Sequence, residues 1–450
     1  MADLLTRDEA KRLADRVLAL HKSDGCQVSI GSGVDGNTRF AANEISTSGD
    51  SSNAVLSVQS RFGKRVASAT TNLFDDAGIA RAVDTSERLA KLSPENPELM
   101  PLLPPQTYAN VTASFPATER LDAATRADAV RVSTDASVKA GTVAAGFIQR
   151  AAGAQAVANS AGLFAYHKST DSVYTLTVRT PDGAGSGWAG TAHNDWARIT
   201  PPATLAERAI RKAQQSREPA ALEPGRYTVV LEATAVGNLL GLMAFAMNAR
   251  AADEGRSFFS KQGGGTKLGE KVVDERVTIF SDPQDPDLLA DPFTFEGMPT
   301  SRTVWIENGV VKNLAYDRFW ADKKGVTPRP LGGGLKMTGG TASLDELIAG
   351  VTRGLLVTHF WYIRGVDPRS ILNTGLTRDG LFLIENGKIT KAVRNFRFNE
   401  SPVIMLNNLE ALGRPERVAA SESGGLGGNA VVVPPIVARE FTFTSISEAV

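Results

Sequence analysis

One cysteine, Cys26, and four histidines are the whole supply of thiol and imidazole in this 450-residue chain. A lone cysteine excludes an internal disulfide framework. The histidines, His21, His167, His193 and His359, are scattered and form no spaced metal-ligand motif. A charge excess is missing too. Lys+Arg and Asp+Glu both total 49, the formal net charge is zero, and no dense Lys/Arg cluster occurs. Nucleic-acid binding, which draws on a basic excess or stripe, is therefore the weaker expectation. Long apolar runs are also absent. The most apolar stretch, 239–247, is far too short to span a bilayer. The N-terminal MADLLTRDEAKRLADRVLALHKSDG carries charges throughout and has no signal-peptide core. These absences point to a cytoplasmic protein with no membrane and no nucleic acid among its partners.

What is present is ordinary soluble composition, 42% hydrophobic and 22% charged, in a chain long enough for two or three domains. An amphipathic helix opens the chain, with Leu5, Ala10, Leu13, Val17, Leu18 and Leu20 at roughly helical spacing. Strand-like runs follow at 26–30, 38–46, 54–59 and 64–70, separated by Gly, Asn, Asp and Ser turns, then a helix at 75–92. The Pro-rich SPENPELMPLLPP reads as a linker. A middle section holds helices at 117–138 and 204–215, with alternating runs at 142–150 and 172–179 between them. Residues 216–225 mark a boundary before the strand RYTVVLEA. The expected fold is α+β: an N-terminal helix and antiparallel-sheet domain (1–100), a middle segment with linkers (101–222) and a β-rich C-terminal domain (223–450). WIENGVVKN and LIENGKITK each place Asn-Gly between strand-like runs, which predicts two tight type I′ hairpins.

Candidate chemistry is sparse. Asp282, Asp285, Asp287 and Asp291 cluster in FSDPQDPDLLADP, but Pro283, Pro286 and Pro292 interrupt them, and neither the glycine nor the terminal glutamate of an EF-hand loop is there. A solvated acidic loop is the expectation. Gly263-Gly264-Gly265-Thr266-Lys267 and Gly332-Gly333-Gly334 lack the GxxxxGK[ST] of a phosphate loop, and read as flexible loops near a cleft. GAGSGWAG around Ser186 lacks the GxSxG spacing of a nucleophile elbow. Cys26 has only His21 and Lys22 as nearby bases and reads as a small structural residue. THFWYIRG, 358–365, gathers aromatics in one strand-like run, suited to core or subunit-interface packing.

Several stretches carry a resemblance: VVLEATAVGNLLGLMAF, RSFFSKQGGGTKLGEKV, DPFTFEGMPTSRTVWIENGVVKN, SLDELIAGVTRGLLVTHFW and GLTRDGLFLIENGKI. In order and spacing they resemble the TldD/PmbA family of peptidase-related proteins, whose historical label is modulator of DNA gyrase. SGVDGNTRFAANEIS and GKRVASATTNLFDDAGI look like that family's first domain. One branch of the family carries LLHExxxH on a helix, where two histidines bind zinc and the glutamate activates water. Here the aligned stretch reads LLGLMAFA. Gly241 and Leu242 stand at His-Glu, and Ala246 at the second histidine. None of these three side chains can ligate a metal or move a proton. The resemblance is to the second branch, PmbA or TldE, which lacks the motif and pairs with the first.

That resemblance implies no catalytic residue and no cofactor in this chain, with zinc expected only in an HExxxH partner. It implies a dimer, with a TldD-type subunit or a second copy, acting on unfolded or small peptides. Arg250, Glu254 and Ser257, just past the apolar helix, and His359 are candidate substrate-binding residues; the alternative for Arg250 and Glu254 is an ordinary i,i+4 surface pair. A stand-alone peptide-binding module and a metallopeptidase with unusual ligands remain as alternatives.

Overall fold

The structure, a computed structural model, describes residues 4–332, 334–419 and 430–447, so Gly333 of the second glycine run lies outside them. The chain opens with α1 (Arg7–Leu20), started by a capping box between Thr6 and Glu9. Then come β1 (Gly25–Ala41), β2 (Glu44–Phe62), β3 (Arg65–Thr71) and α2 (Asp76–Leu92). After the Pro-rich segment follow α3 (Pro116–Glu119), α4 (Ala123–Lys139), β4 (Val143–Asn159), β5 (Phe164–Arg179), β6 (Ser186–His193) and α5 (Pro202–Gln215).

These six strands form one antiparallel sheet in the order β3-β2-β1-β4-β5-β6. The sheet crosses position 100, because β1 pairs with β4 from Gln27↔Asn159 to Phe40↔Gly146. The strand expected at 38–46 is broken by a turn. Ala42 and Asn43 both take positive φ (53° and 63°), and the Asn43 amide is held by Thr142 and Ala144 backbone. The single helix expected at 117–138 is two, because Asp122 caps a fresh start by accepting from the Thr125 N–H. Helices α1 and α2 cover one end of the sheet. Leu13, Val17, Ile79 and Val83 pack there on Val28, Ile30, Leu56 and Val58, with Cys26 among them. Farther along, Leu205, Ala206 and Ala209 of α5 pack on Ile148, Tyr174 and Leu176.

The remainder runs through β7 (Arg226–Leu231), α6 (Ala233–Ala246), α7 (Ala249–Asp253), β8 (Ile279–Ser281), β9 (Thr303–Glu307), β10 (Val310–Val311), α8 (Arg318–Lys324), β11 (Leu335–Met337) and α9 (Leu344–Ala349). It ends with β12 (Arg353–Asp367), β13 (Leu372–Glu385), β14 (Lys388–Ala392), β15 (Phe396–Glu400), α10 (Pro402–Asn407), β16 (Leu409–Leu412), β17 (Glu416–Val418), β18 (Val431–Val433) and β19 (Ile436–Ile446). One sheet is β10-β9-β8-β11-β18-β17. The other, β12-β7-β19-β15-β13-β14, closes on itself where β12 also pairs with β13. Closure pairs β12, β7, β19, β15 and β13 on both sides, and β14 hangs from β13 alone. Phe360, Phe398, Phe441 and Phe443 stack among themselves in its core, with Phe360 and Phe441 nearly parallel at 5.6 Å. Overall the fold is α+β, as expected.

Both Asn-Gly hairpins are present. Asn308-Gly309 joins β9 to β10 and Asn386-Gly387 joins β13 to β14, with positive φ at all four residues. They lie in different sheets.

Candidate functional site

Helix α6 follows β7 directly and is apolar nearly all round, so it is a core helix rather than a surface one. Leu239 and Leu240 are fully buried and Met243 nearly so; each such side chain contributes roughly 2 kcal/mol of burial. Thr234, Asn238, Leu242, Phe245 and Ala246 keep some exposure, and these positions recur at helical spacing along one open side. Phe245, 63% exposed, is its most prominent feature. Leu242 and Ala246 therefore lie on the accessible side of the helix and Gly241 is buried beside them.

The residues after α6 are tied into the structure. The Ser257 hydroxyl donates to the Ala246 carbonyl and accepts from the Phe259 N–H, so it completes the end of α6. Arg250 makes the expected i,i+4 pair with Glu254 at 3.0 Å. It also grips Glu98 with two bonds of 2.9 and 3.0 Å, and lies over the Trp320 ring at 5.2 Å. Bonds to Glu98, then Glu254, hold the guanidinium pKa above its ordinary value. Arg250 thus fastens the C-terminal half to the Pro-rich segment.

His359 sits elsewhere, in a buried polar cluster on which three strands converge. Its Nε2 is 2.9 Å from Asp379 Oδ2, and its ring stacks on Trp188 of β6. Ser186, also on β6, donates its hydroxyl to Asp379. A bulge makes this possible. Asp379 takes φ 53° and Gly380 φ 125°, while the Thr358 hydroxyl lies within reach of the carbonyls of 378, 379 and 380. Hydrogen bonds from His359 and Ser186 keep the carboxyl below its usual value against the opposing effect of burial, which is the largest single influence. His359 Nδ1 is buried without a partner among the described residues. Serine and histidine both bond the aspartate and not each other, so the order differs from that of a nucleophilic triad. The cluster joins β6 to β12 and β13. Sequence reading reached His359 but missed Asp379 and Trp188; Asp-Gly inside a strand run is the one signal of a bulge.

The remaining histidines are apart. His167 of β5 is 3.7 Å from Asp291, and His193 Nδ1 accepts from the Asp195 N–H. No group of three His, Cys, Asp or Glu placed to hold a metal occurs among the described residues. The acidic loop is solvated in part, with Asp287 and Asp291 about half exposed and Asp282 and Asp285 more buried. Lys336 lies at 2.9–3.0 Å from Asp285 and Asp287, Arg302 faces Asp282, and Arg198 faces Asp287. Those aspartates are drawn in by cations that lie far away in sequence. Gly263, Gly264 and Gly265 all take positive φ, and Lys267 Nζ sits 3.6 Å above the Phe258 ring. No described helix is long and apolar enough to cross a membrane.

Comparison with known proteins places this geometry in context. Residues 224–445 match the PmbA/TldA metallopeptidase C-terminal domain, and residues 112–217 match the central domain of the same family. A metalloprotease of Methanothermobacter thermautotrophicus is 26% identical over 242 residues, 49% of each chain. One from Archaeoglobus fulgidus matches over 31% of its own length, so this chain spans half or less of these two relatives. Metalloprotease PmbA of Escherichia coli O157:H7 is 21% identical over 88% of this chain and 89% of its own. Among solved structures, TldE from Thermococcus kodakarensis has a TM-score of 0.85 at 19% identity, covering 97% of this chain and 99% of that one. A Thermotoga maritima protein described as a modulator of a DNA gyrase has a TM-score of 0.83 at 18% identity, over 97% and 100% of the two chains.

Proposed function

The chain belongs to the PmbA/TldD metallopeptidase family, and from that premise we propose that it is the metal-free member of a peptidase complex acting on unfolded or small peptides. One observation carries this reading. The open side of α6 presents Leu242 and Ala246, with Gly241 beneath, where the motif-bearing branch has its ligands and base. A catalytic zinc needs about three protein ligands and an open water position. Apolar side chains here leave α6 as packing, with Phe245 exposed beside it. In this role the chain docks on an HExxxH-bearing partner and shapes the peptide chamber, in the cytoplasm, without touching DNA.

The test is metal analysis and peptide hydrolysis on the purified chain, repeated after mixing with an HExxxH relative from the same genome. Cleavage only in the mixture supports the proposal. Stoichiometric zinc with metal-dependent cleavage by the chain alone overturns it and favours a metallopeptidase with unusual ligands.

A second reading, stand-alone peptide binding, draws on β2. Strand β3 pairs with β2 only from Leu56 onward, so residues 44–55 have β1 on one side and no named strand on the other. Such an edge can accept an extended peptide through backbone hydrogen bonds. Co-purification separates the two: an HExxxH protein supports the first reading, a homodimer carrying peptide the second.

A further inference from the structure

A cavity of about 300 Å³ opens between the two halves of the chain, away from the lost-motif positions. Its walls come from α5, β6, the start of α6, the start of α9 and β17. The volume lies at the small end of ligand sites. Five cationic side chains line it, Arg208, Arg211, Lys212, Arg414 and Arg417, against three acidic ones, Glu232, Asp345 and Glu416.

The cations are not equally occupied. Lys212 is held at 2.8 Å by Glu232. Arg417 is engaged through its Nη atoms by Asn194 and Asp171, yet its Nε has no partner among the described residues although the side chain is nine-tenths buried. Arg414 has one bond, of 3.3 Å, to the Thr341 carbonyl. Arg208 and Arg211, one helical turn apart on α5, have no hydrogen bond and no close ion pair among the described residues, although Arg208 and Arg414 both act on the Glu416 carboxylate through space. They extend from a helix whose other face is locked by Leu205, Ala206 and Ala209, so their backbone positions are fixed on α5 while the side chains stay exposed.

The start of α6 adds a second source of positive potential. This fourteen-residue helix has no side-chain cap at its N-terminus, and Glu232, Ala233 and Thr234 line the cavity. Its first-turn N–H groups have no intrahelical acceptor, and the helix dipole favours an anion there.

We infer that this cavity binds the C-terminal carboxylate of a peptide, with Arg208, Arg211 and Arg414 facing the anion and the first turn of α6 beneath it. Glu416 and Asp345 repel a multiply charged phosphate and can instead accept N–H groups of the last peptide units. Thr234 and Leu242, eight residues apart, share a side of α6 and are separated by about 12 Å of helix rise. About four extended residues cover that distance, so a peptide anchored here reaches the open side of α6. The identity of the carboxylate's bearer rests on the peptide reading above; the anion site itself does not.

The test is calorimetric titration of the metal-free chain, without a partner, using N-acetyl-trialanine, its C-terminal amide and inorganic phosphate. The acid is expected to bind, and the amide about tenfold weaker or worse, the scale of one lost charge-assisted bond. Arg208→Ala/Arg211→Ala should weaken the acid to the same degree while its thermal unfolding midpoint stays unchanged, since both residues are exposed. Equal binding of acid and amide, or an unaffected double variant, overturns the site. Phosphate binding as tightly as the peptide acid overturns the peptide assignment. None of these outcomes depends on zinc, so failure here is distinguishable from failure of the metal-free reading.

Discussion

Trp188 of β6 stacks on His359 of β12, with ring centroids 5.0 Å apart and 27° between the planes. This contact ties the N-terminal sheet to the closed C-terminal sheet through one aromatic pair and the Asp379 carboxylate beneath it. Removing the imidazole leaves the buried Asp379 carboxylate with the Ser186 hydroxyl and with Arg378 at 3.8 Å. His359→Ala is expected to cost on the order of 3 kcal/mol in denaturant unfolding. Asp379→Asn, which removes the charge but keeps the Trp188 stack, should cost less; an equal loss would show that the carboxylate, not packing on Trp188, carries the contact.

His193 responds to acid. Burial, then repulsion from Arg417 and Arg198, pushes its pKa down to about 4. The unfolded chain has the ordinary value near 6.5. Unfolding therefore takes up a proton between those two values, and stability falls as pH drops from about 6.5 to about 4, by up to about 3 kcal/mol. Asp171 opposes part of this loss, because burial raises its carboxyl to about 6 and its protonation favours the folded state. His193→Gln should flatten the acid limb of stability against pH; an unchanged limb would assign the loss to other groups.

Cys26 should be inert. Desolvation pushes its thiol up to about 12, with Glu87 adding to the effect, and the side chain is buried in β1. A thiol-reactive disulfide reagent at pH 8 is expected to leave the native chain unmodified and to label one thiol after denaturation. Rapid labelling of the native chain would contradict the packing around α1 and α2.

The two Asn-Gly turns should not tolerate a side chain. A Cβ on Gly309 would lie 2.3 Å from the Val273 carbonyl oxygen, and one on Gly387 2.6 Å from that of Ala349. Both also hold positive φ. Gly309→Ala and Gly387→Ala should each cost about 1–3 kcal/mol. Gly263→Ala, at similar φ but with open space around its Cβ, should cost less.

Much of this fold was legible where the signal is local. Hairpins announced by Asn-Gly, the helices with apolar periodicity and the core helix at 235–247 can be read from neighbouring residues alone. The turn at Ala42-Asn43 was hidden because alanine is a poor marker for positive φ. The ion pairs of the acidic loop were hidden for a different reason. Lys336 and Asp285 are 51 residues apart, and nothing near either one signals the other. Gly241, Leu242 and Ala246 stand out only through resemblance, since no residue near them carries a signal of its own. The spacing around Ser186 gives no hint of its partner, Asp379, which lies 193 residues on.

The shared sheet also bears on how this chain is made. Strand β1 emerges early in synthesis, but its second partner, β4, follows more than a hundred residues later. Until then the β1–β2 ribbon has an uncovered edge in the middle of what will become the sheet. Pairing across such a separation slows folding, and an exposed edge invites association with other nascent chains. A helper that shields β1 during translation should therefore raise the yield of soluble chain.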